Sequence, residues 1–345
     1  MRIVLGLSDG VDSAVAAMKL REAGHEVVGV HLINGTEKEI EKAYQSAKEL
    51  GIAFEAVPIR EMLERHVCMP FVEAYLSGRT PSPCPPCNRD VKLKALIKTA
   101  DELGIERVAT GHYVLKRGNE LYMGHESCDQ SYMLCLISPE QLARLELPLG
   151  EYSKTQVRQL AAQMKLSCAS RPDSRENCFI RDADYVSYIR MRASDRLPPE
   201  GIVLCDGQVF DTHEGIYAYT VGQRWRKDAG GRRLYVSRID AVNNIIELCL
   251  WEGLFTRELD VGNLNWLDGI PPAREFNARI RIRHTRWETP DCRIVIKGST
   301  AHVVTNSPVR APVKGQVAAI YDGARLIGGG TVESLAADYP ISKTE

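Results

Sequence analysis

Along the first half of the chain, short apolar blocks alternate with stretches of helical periodicity. Residues 2–6 form an apolar run that predicts a strand, and residues 10–23 predict a helix ending at Gly24. A valine-rich run predicts a second strand over 26–31. Residues 37–50 predict a helix, with Gly51 just past its end where a left-handed residue is wanted. A third strand is predicted over 54–58, helices over 60–76 and 88–103, and a strand over 107–110. This alternation predicts an α/β fold whose parallel sheet is covered by helices on both faces.

The pattern changes after about residue 197. Strand-like runs then follow one another at 201–206, 234–239, 244–250, 278–283, 293–296, 301–305 and 316–321, with turn signals between them. They predict β-rich modules. Gly269, Ile270, Pro271 and Pro272 read as a loop near the start of a last small barrel.

Composition narrows the class. The 345 residues suffice for two or three domains; 44% are hydrophobic and 26% charged, as in an ordinary globular protein. With no apolar run of membrane length, no span is expected. The apolar stretch at 1–6 is too short for a signal peptide. A net charge of −1 does not decide on a nucleic-acid partner, because what counts is where positive charge clusters. The ten cysteines are scattered with one close pair, so reduced thiols in the cytoplasm are expected rather than a disulfide framework.

The first chemical signal is Gly6-Leu7-Ser8-Asp9-Gly10-Val11-Asp12-Ser13, between the first predicted strand and helix. A helix amino end offers N–H groups and a positive dipole to phosphate, and Ser8 and Ser13 add hydroxyls. Asp12 suits holding magnesium or the loop itself. The plainer alternative is a tight turn capped by Ser8 or Asp9. No lysine follows, so this is not a Walker loop.

The second signal is Gly78-Arg79-Thr80-Pro81-Ser82-Pro83-Cys84-Pro85-Pro86-Cys87-Asn88-Arg89. Its prolines rigidify the approach, and Asn88 or a neighbour is expected to cap a helix running through Lys92 and Lys94. Cys87 would then lie near a helix amino end with Arg89 close by, which favours thiolate. A lone Cys-x-x-Cys is equally compatible with a redox pair, half a zinc site or two ordinary thiols in a turn. Cys178, in Asn177-Cys178-Phe179-Ile180, reads by itself as a buried core thiol.

Taken in order, these segments resemble the bacterial tRNA 2-thiouridylases, the MnmA family. The first loop looks like the PP-loop of ATP pyrophosphatases, with Asp9 where that superfamily usually has glycine. Ala109-Thr110-Gly111-His112-Tyr113, Asp129-Gln130-Ser131-Tyr132 after Cys128, Pro148-Leu149-Gly150-Glu151 before Lys154, Thr220-Val221-Gly222-Gln223-Arg224, Gly315-Gln316 and Gly328-Gly329-Gly330 continue the likeness over nearly the whole chain.

The resemblance implies a PP-loop α/β domain over 1–195, a small β-rich tRNA-binding domain over 196–262 and a C-terminal β-barrel over 263–345. It implies ATP-dependent sulfur transfer to C2 of the wobble uridine in tRNAs for Glu, Gln and Lys, through an adenylated uridine, with magnesium and a sulfur donor or relay protein. ATP would be met by Gly6, Leu7, Ser8, Asp9, Gly10, Val11, Asp12, Ser13, Leu32 and Gly111. Cys87 matches the nucleophile and Cys178 the persulfide-bearing cysteine. Ser82, Pro83, Cys84, His112, Cys128, Asp129, Gln130, Arg283, His284 and Gln316 match tRNA-contacting positions. Many members have aspartate where Cys84 stands. The trio Cys84, Cys87 and Cys178 therefore also resembles thiolases that hold a 4Fe–4S cluster on three thiolates, and the balance leans to that scheme. The competing scheme passes a persulfide from Cys178 and ends in a disulfide with Cys87. Cys128 in place of lysine and His284 in place of tyrosine mark a divergent member.

A positive track for tRNA is expected from Arg224, Arg226, Lys227, Arg232, Arg233 and Arg238, or from Arg279, Arg281, Arg283, Arg286 and Arg293. Arg279, Arg281 and Arg283 would share one strand face. Trp225 and Trp287 are candidates for base stacking or for core. Other readings are another PP-loop adenylating enzyme, a tRNA-binding paralogue whose ATP chemistry is altered by Asp9, and a structural zinc protein using Cys84 and Cys87.

Overall fold

A computed structural model describes residues 1–34, 37–171, 177–180, 184–282 and 289–335. Strands Arg2–Gly6, Glu26–Ile33, Ala53–Pro58, Arg107–Ala109 and Leu145–Glu146 form a five-stranded sheet in which every neighbouring pair is parallel. Side chains alternate across it. Ile3 and Leu5 join Val15 and Val157 in one core, while Val4 joins Leu93 and Leu96 in the other. Helix Val11–Glu22 is buried on most sides because it lies between the sheet and helix Lys154–Gln163. Arg2–Gly6 is flanked by Glu26–Ile33 on one side and Arg107–Ala109 on the other, so the strand order reverses there. The crevice beyond the carboxyl ends of these central strands is where such sheets take ligands.

Two predicted helices differ from expectation. The run over 60–76 is Arg60–Leu63, a π turn Glu64–Cys68, and Met69–Leu76. The π turn ends two residues before Pro70, whose ring and missing N–H disturb the regular ladder. The helix expected to start at Asn88 starts at Cys84, with Pro83 as N-cap and a second π turn over Asn88–Lys92 before Leu93–Glu102. Pro85 and Pro86 fit the first turn, where a missing N–H costs nothing. Asn88 caps nothing; it is buried and donates from Nδ2 to the Met133 carbonyl at 3.0 Å.

Downstream, Tyr235–Asp240, Ile245–Cys249, Gly201–Cys205 and Gln208–His213 make a four-stranded sheet around Val203, Val236, Ile246 and Trp225. A barrel follows. Phe255–Trp266, Thr300–Arg310, Asp291–Lys297, Glu275–Arg281, Val317–Asp322 and Arg325–Leu335 pair in that order, and Phe255–Trp266 closes it against Arg325–Leu335. The expected boundary between residues 262 and 263 falls inside the first barrel strand.

A hairpin that the sequence pattern did not reveal, Val114–Arg117 with Glu120–Met123, leaves the first sheet and adds to the barrel edge through Leu121 and Leu326. Val114 and Leu121 share a core with Val317, Ala319, Tyr321 and Leu326, so the barrel and the first unit are continuous.

Candidate active site

The loop after the first strand closes on itself. The Ser8 N–H donates to Ser13 Oγ at 3.0 Å, the two hydroxyls lie 3.0 Å apart, and Ser13 Oγ donates to the Gly10 carbonyl at 3.1 Å. The N-cap of the following helix is Gly10, and the Ser8 hydroxyl accepts from the Gly10 N–H at 3.1 Å, so Ser8 caps the turn as the plainer alternative expects. Its first-turn N–H groups and dipole face the crevice. Gly111 abuts the loop: a β-carbon there would come 3.1 Å from the Ser13 nitrogen. Asp12 is held from below by Lys154 Nζ, at 2.7 Å from both oxygens, and by the Tyr113 hydroxyl at 2.5 Å. Asp9 keeps its carboxylate 4.0 Å from Lys42 Nζ, and its carbonyl accepts from Arg171 at 2.6 Å. The extra negative charge is thus partly offset by a lysine and an arginine.

The cysteines meet beside this crevice. Cys87 is buried with Cys68, Ile59, Leu63, Val67, Val91 and Ala95, and Leu32 and Phe179 pack onto that cluster. Cys178 is exposed, which overturns its reading as a core thiol. Cys84 is open at the surface yet hemmed in by protein on most sides. Burial raises its pKa, Lys92 lowers it and Cys178 adds to the rise. Burial pushes the Cys87 thiol up to about 12; Lys92 opposes this, while Cys178, Cys84 and Cys68 reinforce it. The expected thiolate from a helix amino end and Arg89 is therefore not found, because Cys87 sits inside an apolar pocket and Arg89 turns to Asp90 at 2.7 Å. Lys92 is the cation that serves the site. Burial works against its ammonium, but Cys87, Cys178 and Cys84 carry its pKa above the ordinary lysine value.

All ten cysteines are free thiols. Among the described residues no three His, Cys, Asp or Glu side chains converge as a metal ion requires. Among the described residues Cys84, Cys87 and Cys178 do not converge as a three-ligand set, so the arrangement does not support the iron–sulfur scheme. The zinc expectation has no further ligands either, among the described residues.

Residues expected to meet tRNA divide. His112 is half-buried, with Nδ1 2.8 Å from the Thr110 hydroxyl. Burial, then Lys92, hold its pKa down at about 3, so it is neutral. Ser82 Oγ accepts from the Val317 N–H at 3.2 Å, and Pro83 caps the Cys84–Cys87 turn. The Gln130 side chain accepts from the Tyr113 N–H at 3.1 Å, and that of Gln316 from the Val313 N–H at 3.2 Å. Cys128 is half-buried against the Tyr152 carbonyl.

Asp129 departs from expectation. It is buried and accepts from the Gly124 and Ser131 N–H groups, the Ser131 hydroxyl and Arg281, so its carboxylate joins the barrel to the first unit instead of facing RNA. Arg281 is correspondingly buried, stacked over Tyr132 at 4.7 Å, and leaves the expected positive track. Arg283, His284, Arg286 and Trp287 lie outside the described residues.

Of the other track residues, Arg224 pairs with Asp228, Arg226 and Lys227 with Asp211, Arg238 with Glu247, Arg279 with Asp291 and Arg293 with Glu275. Arg232 and Arg233 are exposed. Trp225 is core: it is buried, stacks on Tyr219 at 5.0 Å and donates to Asp211. Sequence reasoning missed Lys92, Cys68, Tyr113, Lys154 and Arg171 as members of the site. Tyr113 and Lys154 adjoin quoted motifs, but only folding shows that both reach Asp12.

Three family profiles match the chain in series. They are described as the tRNA methyl transferase HUP domain over residues 1–182, the tRNA methyl transferase PRC-barrel domain over 195–249 and the aminomethyltransferase beta-barrel domain over 256–332. The tRNA-specific 2-thiouridylase MnmA of Chloroflexus aggregans is 37% identical, the match covering 96% of this chain and 98% of that protein. Its counterpart in Sorangium cellulosum is 38% identical over 96% and 92%. The Clostridioides difficile protein of that name is 33% identical over 96% and 98%.

Proposed function

The chain belongs to the MnmA family of tRNA-specific 2-thiouridylases, and from that premise we propose a division of labour for its residues. The enzyme forms 2-thiouridine in tRNA. ATP lies in the crevice over Gly6 to Ser13, with Gly111 and Leu32 at its walls and the first-turn amides on phosphate. Magnesium, carried with ATP, offsets the charge of pyrophosphate; Asp12 and Asp9 are the loop's carboxylates. The wobble uridine of a Glu-, Gln- or Lys-type tRNA leaves its stack and enters between crevice and cysteines. Its C2 oxygen attacks the α phosphorus, pyrophosphate departs, and the oxygen becomes a good leaving group.

Cys178, exposed, receives sulfane sulfur from a donor or relay protein as a persulfide. The Cys87 thiolate attacks the Cys178 sulfur and releases hydrosulfide, and a Cys87–Cys178 disulfide remains. Hydrosulfide attacks C2, and AMP leaves with the oxygen. A cellular dithiol then reduces the disulfide by two electrons. Lys92 supplies the positive charge that the thiolate and hydrosulfide require. His112, neutral, meets RNA as a hydrogen-bonding group. The cytoplasm is the compartment that reduced thiols and tRNA imply.

The observation that carries this reading is the convergence of the thiol segments at the crevice: Cys87 packs with Cys68 in one cluster, and Leu32 of the second strand and Phe179, the neighbour of Cys178, pack onto it. The test is nucleoside mass spectrometry on tRNA incubated anaerobically with the protein, ATP, magnesium and a persulfide donor. The expected product is 2-thiouridine, absent with Cys87→Ala. A folded wild-type protein that thiolates no tRNA would overturn the proposal.

A further inference from the structure

The Thr220–Arg224 motif has no place in the chemistry above, yet its first residue meets the strap before Cys84 and the helices on which Phe179 packs. The segment leading to Cys84 and Cys87 is held by both downstream modules. Gly78, at φ +71°, lies under the central sheet, where a β-carbon would come 2.8 Å from Ile239. The Thr80 N–H donates to the Lys314 carbonyl of the barrel at 3.0 Å. Phe179, next to Cys178, is seated between two helices: its ring lies 5.1 Å from Phe71 on Met69–Leu76 and 5.7 Å from Tyr188 on Tyr185–Arg192. Those helices are themselves joined by Tyr75 and Tyr185, with ring centroids 4.8 Å apart.

Thr220 sits where these pieces meet. The Thr80 hydroxyl donates to Thr220 Oγ1 at 3.4 Å, and the Thr220 side chain lies beside the Tyr75 and Tyr185 hydroxyls. Tyr185 itself donates to the Ala218 carbonyl, two residues before Thr220, at 2.9 Å. Thr220 of the central module thereby joins the strap before Cys84 and Cys87 to the two helices that seat Phe179.

We infer that Thr220 is a positioning residue for sulfur transfer, holding the Cys84–Cys87 segment in register with Cys178. The inference rests on the thiolase reading. None of the residues that build the nucleotide loop touches this hydroxyl, so the adenylation step is independent of it.

The test compares Thr220→Val, which keeps the shape, with Thr220→Ser, which keeps the hydroxyl. Four quantities are read in the full-length protein: bridging of Cys87 to Cys178 by dibromobimane with peptide mass spectrometry, kcat and KM for 2-thiouridine formation, tRNA-dependent pyrophosphate release, and thermal unfolding. For Thr220→Val the bridging yield and thiolation kcat fall about tenfold, while pyrophosphate release and KM for tRNA stay within about twofold. Thr220→Ser restores both. Unchanged bridging in a folded Thr220→Val, or a loss that Thr220→Ser shares or that appears in KM alone, overturns the inference. Should Thr220→Val not fold, Tyr185→Phe removes the hydroxyl that lies beside Thr220 and holds the Ala218 carbonyl, and must lower bridging in the same direction. If the wild type makes no 2-thiouridine, the thiolase reading fails, and the bridging yields still decide the positioning role.

Discussion

Ser8 and Ser13 close the nucleotide loop within one short segment, whereas Cys68, Cys87 and Phe179, the neighbour of the exposed Cys178, meet from separate stretches of the chain. The first region is polar, hydrogen-bonded to itself and open to the crevice. The second is apolar, and the Lys92 ammonium works against the burial that raises the pKa of Cys84 and Cys87. A phosphate site can be written into a local turn because backbone amides do the binding. A reactive thiol needs both a dry pocket and a charge inside it, and both must be brought from elsewhere in the fold.

If the two regions are separable in chemistry as they are in construction, Cys178→Ala reduces 2-thiouridine formation by about a thousandfold or more and leaves ATP binding by calorimetry unchanged. A parallel loss of ATP binding would erase the distinction. Asp12→Ala is the reciprocal break: it abolishes adenylation, while persulfide loading of Cys178, read by mass spectrometry, is retained.

The joint between first unit and barrel gives the next largest effect, on stability. Asp129→Ala removes a buried carboxylate that accepts from Gly124, Ser131 and Arg281 and lowers unfolding free energy by about 3–5 kcal/mol in urea titration. Arg281→Met added to it recovers part of the loss. No recovery would mean that Asp129 acts chiefly through its bonds to Gly124 and Ser131.

Lys92→Met sharpens the comparison from the thiol side. Lys92 lowers the Cys87 pKa, so its removal lets burial raise that pKa further, and less thiolate is present at any given pH. The pH profile of Cys87 alkylation moves to higher pH, and thiolation slows by about tenfold to a hundredfold. An unmoved alkylation profile would remove Lys92 from the mechanism. Asp9→Gly has the smallest effect: because Lys42 already faces the carboxylate, KM for ATP improves only about twofold to fivefold.

The legible part of the molecule was the part with local causes. The strands at Arg2–Gly6, Glu26–Ile33 and Arg107–Ala109, the glycine- and serine-rich loop and the change to β modules all follow from periodicity and turn residues. The helix at Cys84 was misjudged because its prolines read as a rigid approach, although the first turn tolerates them. The hairpin ending at Met123 escaped because short strands that complete another module's sheet have no periodicity of their own to announce them. Among the site residues, Cys87 and Cys178 stood in quotable motifs, but neither their burial nor the company of Lys92 and Cys68 had a local signature. Asp129 and Arg281 each looked like a surface contact until packed against the other.

By itself the sequence determined the fold class, the place of the phosphate loop and the residue types from which the chemistry is drawn, because backbone propensity and side-chain alternation act over a few residues. The tertiary structure alone decided which cysteines share a pocket, which cation lies near them, that Asp129 belongs to a buried ion pair, and that Thr220 reaches the strap before Cys84. Those are matters of burial and of distance between segments remote in the chain, and electrostatics and hydrogen bonding change in strength with both.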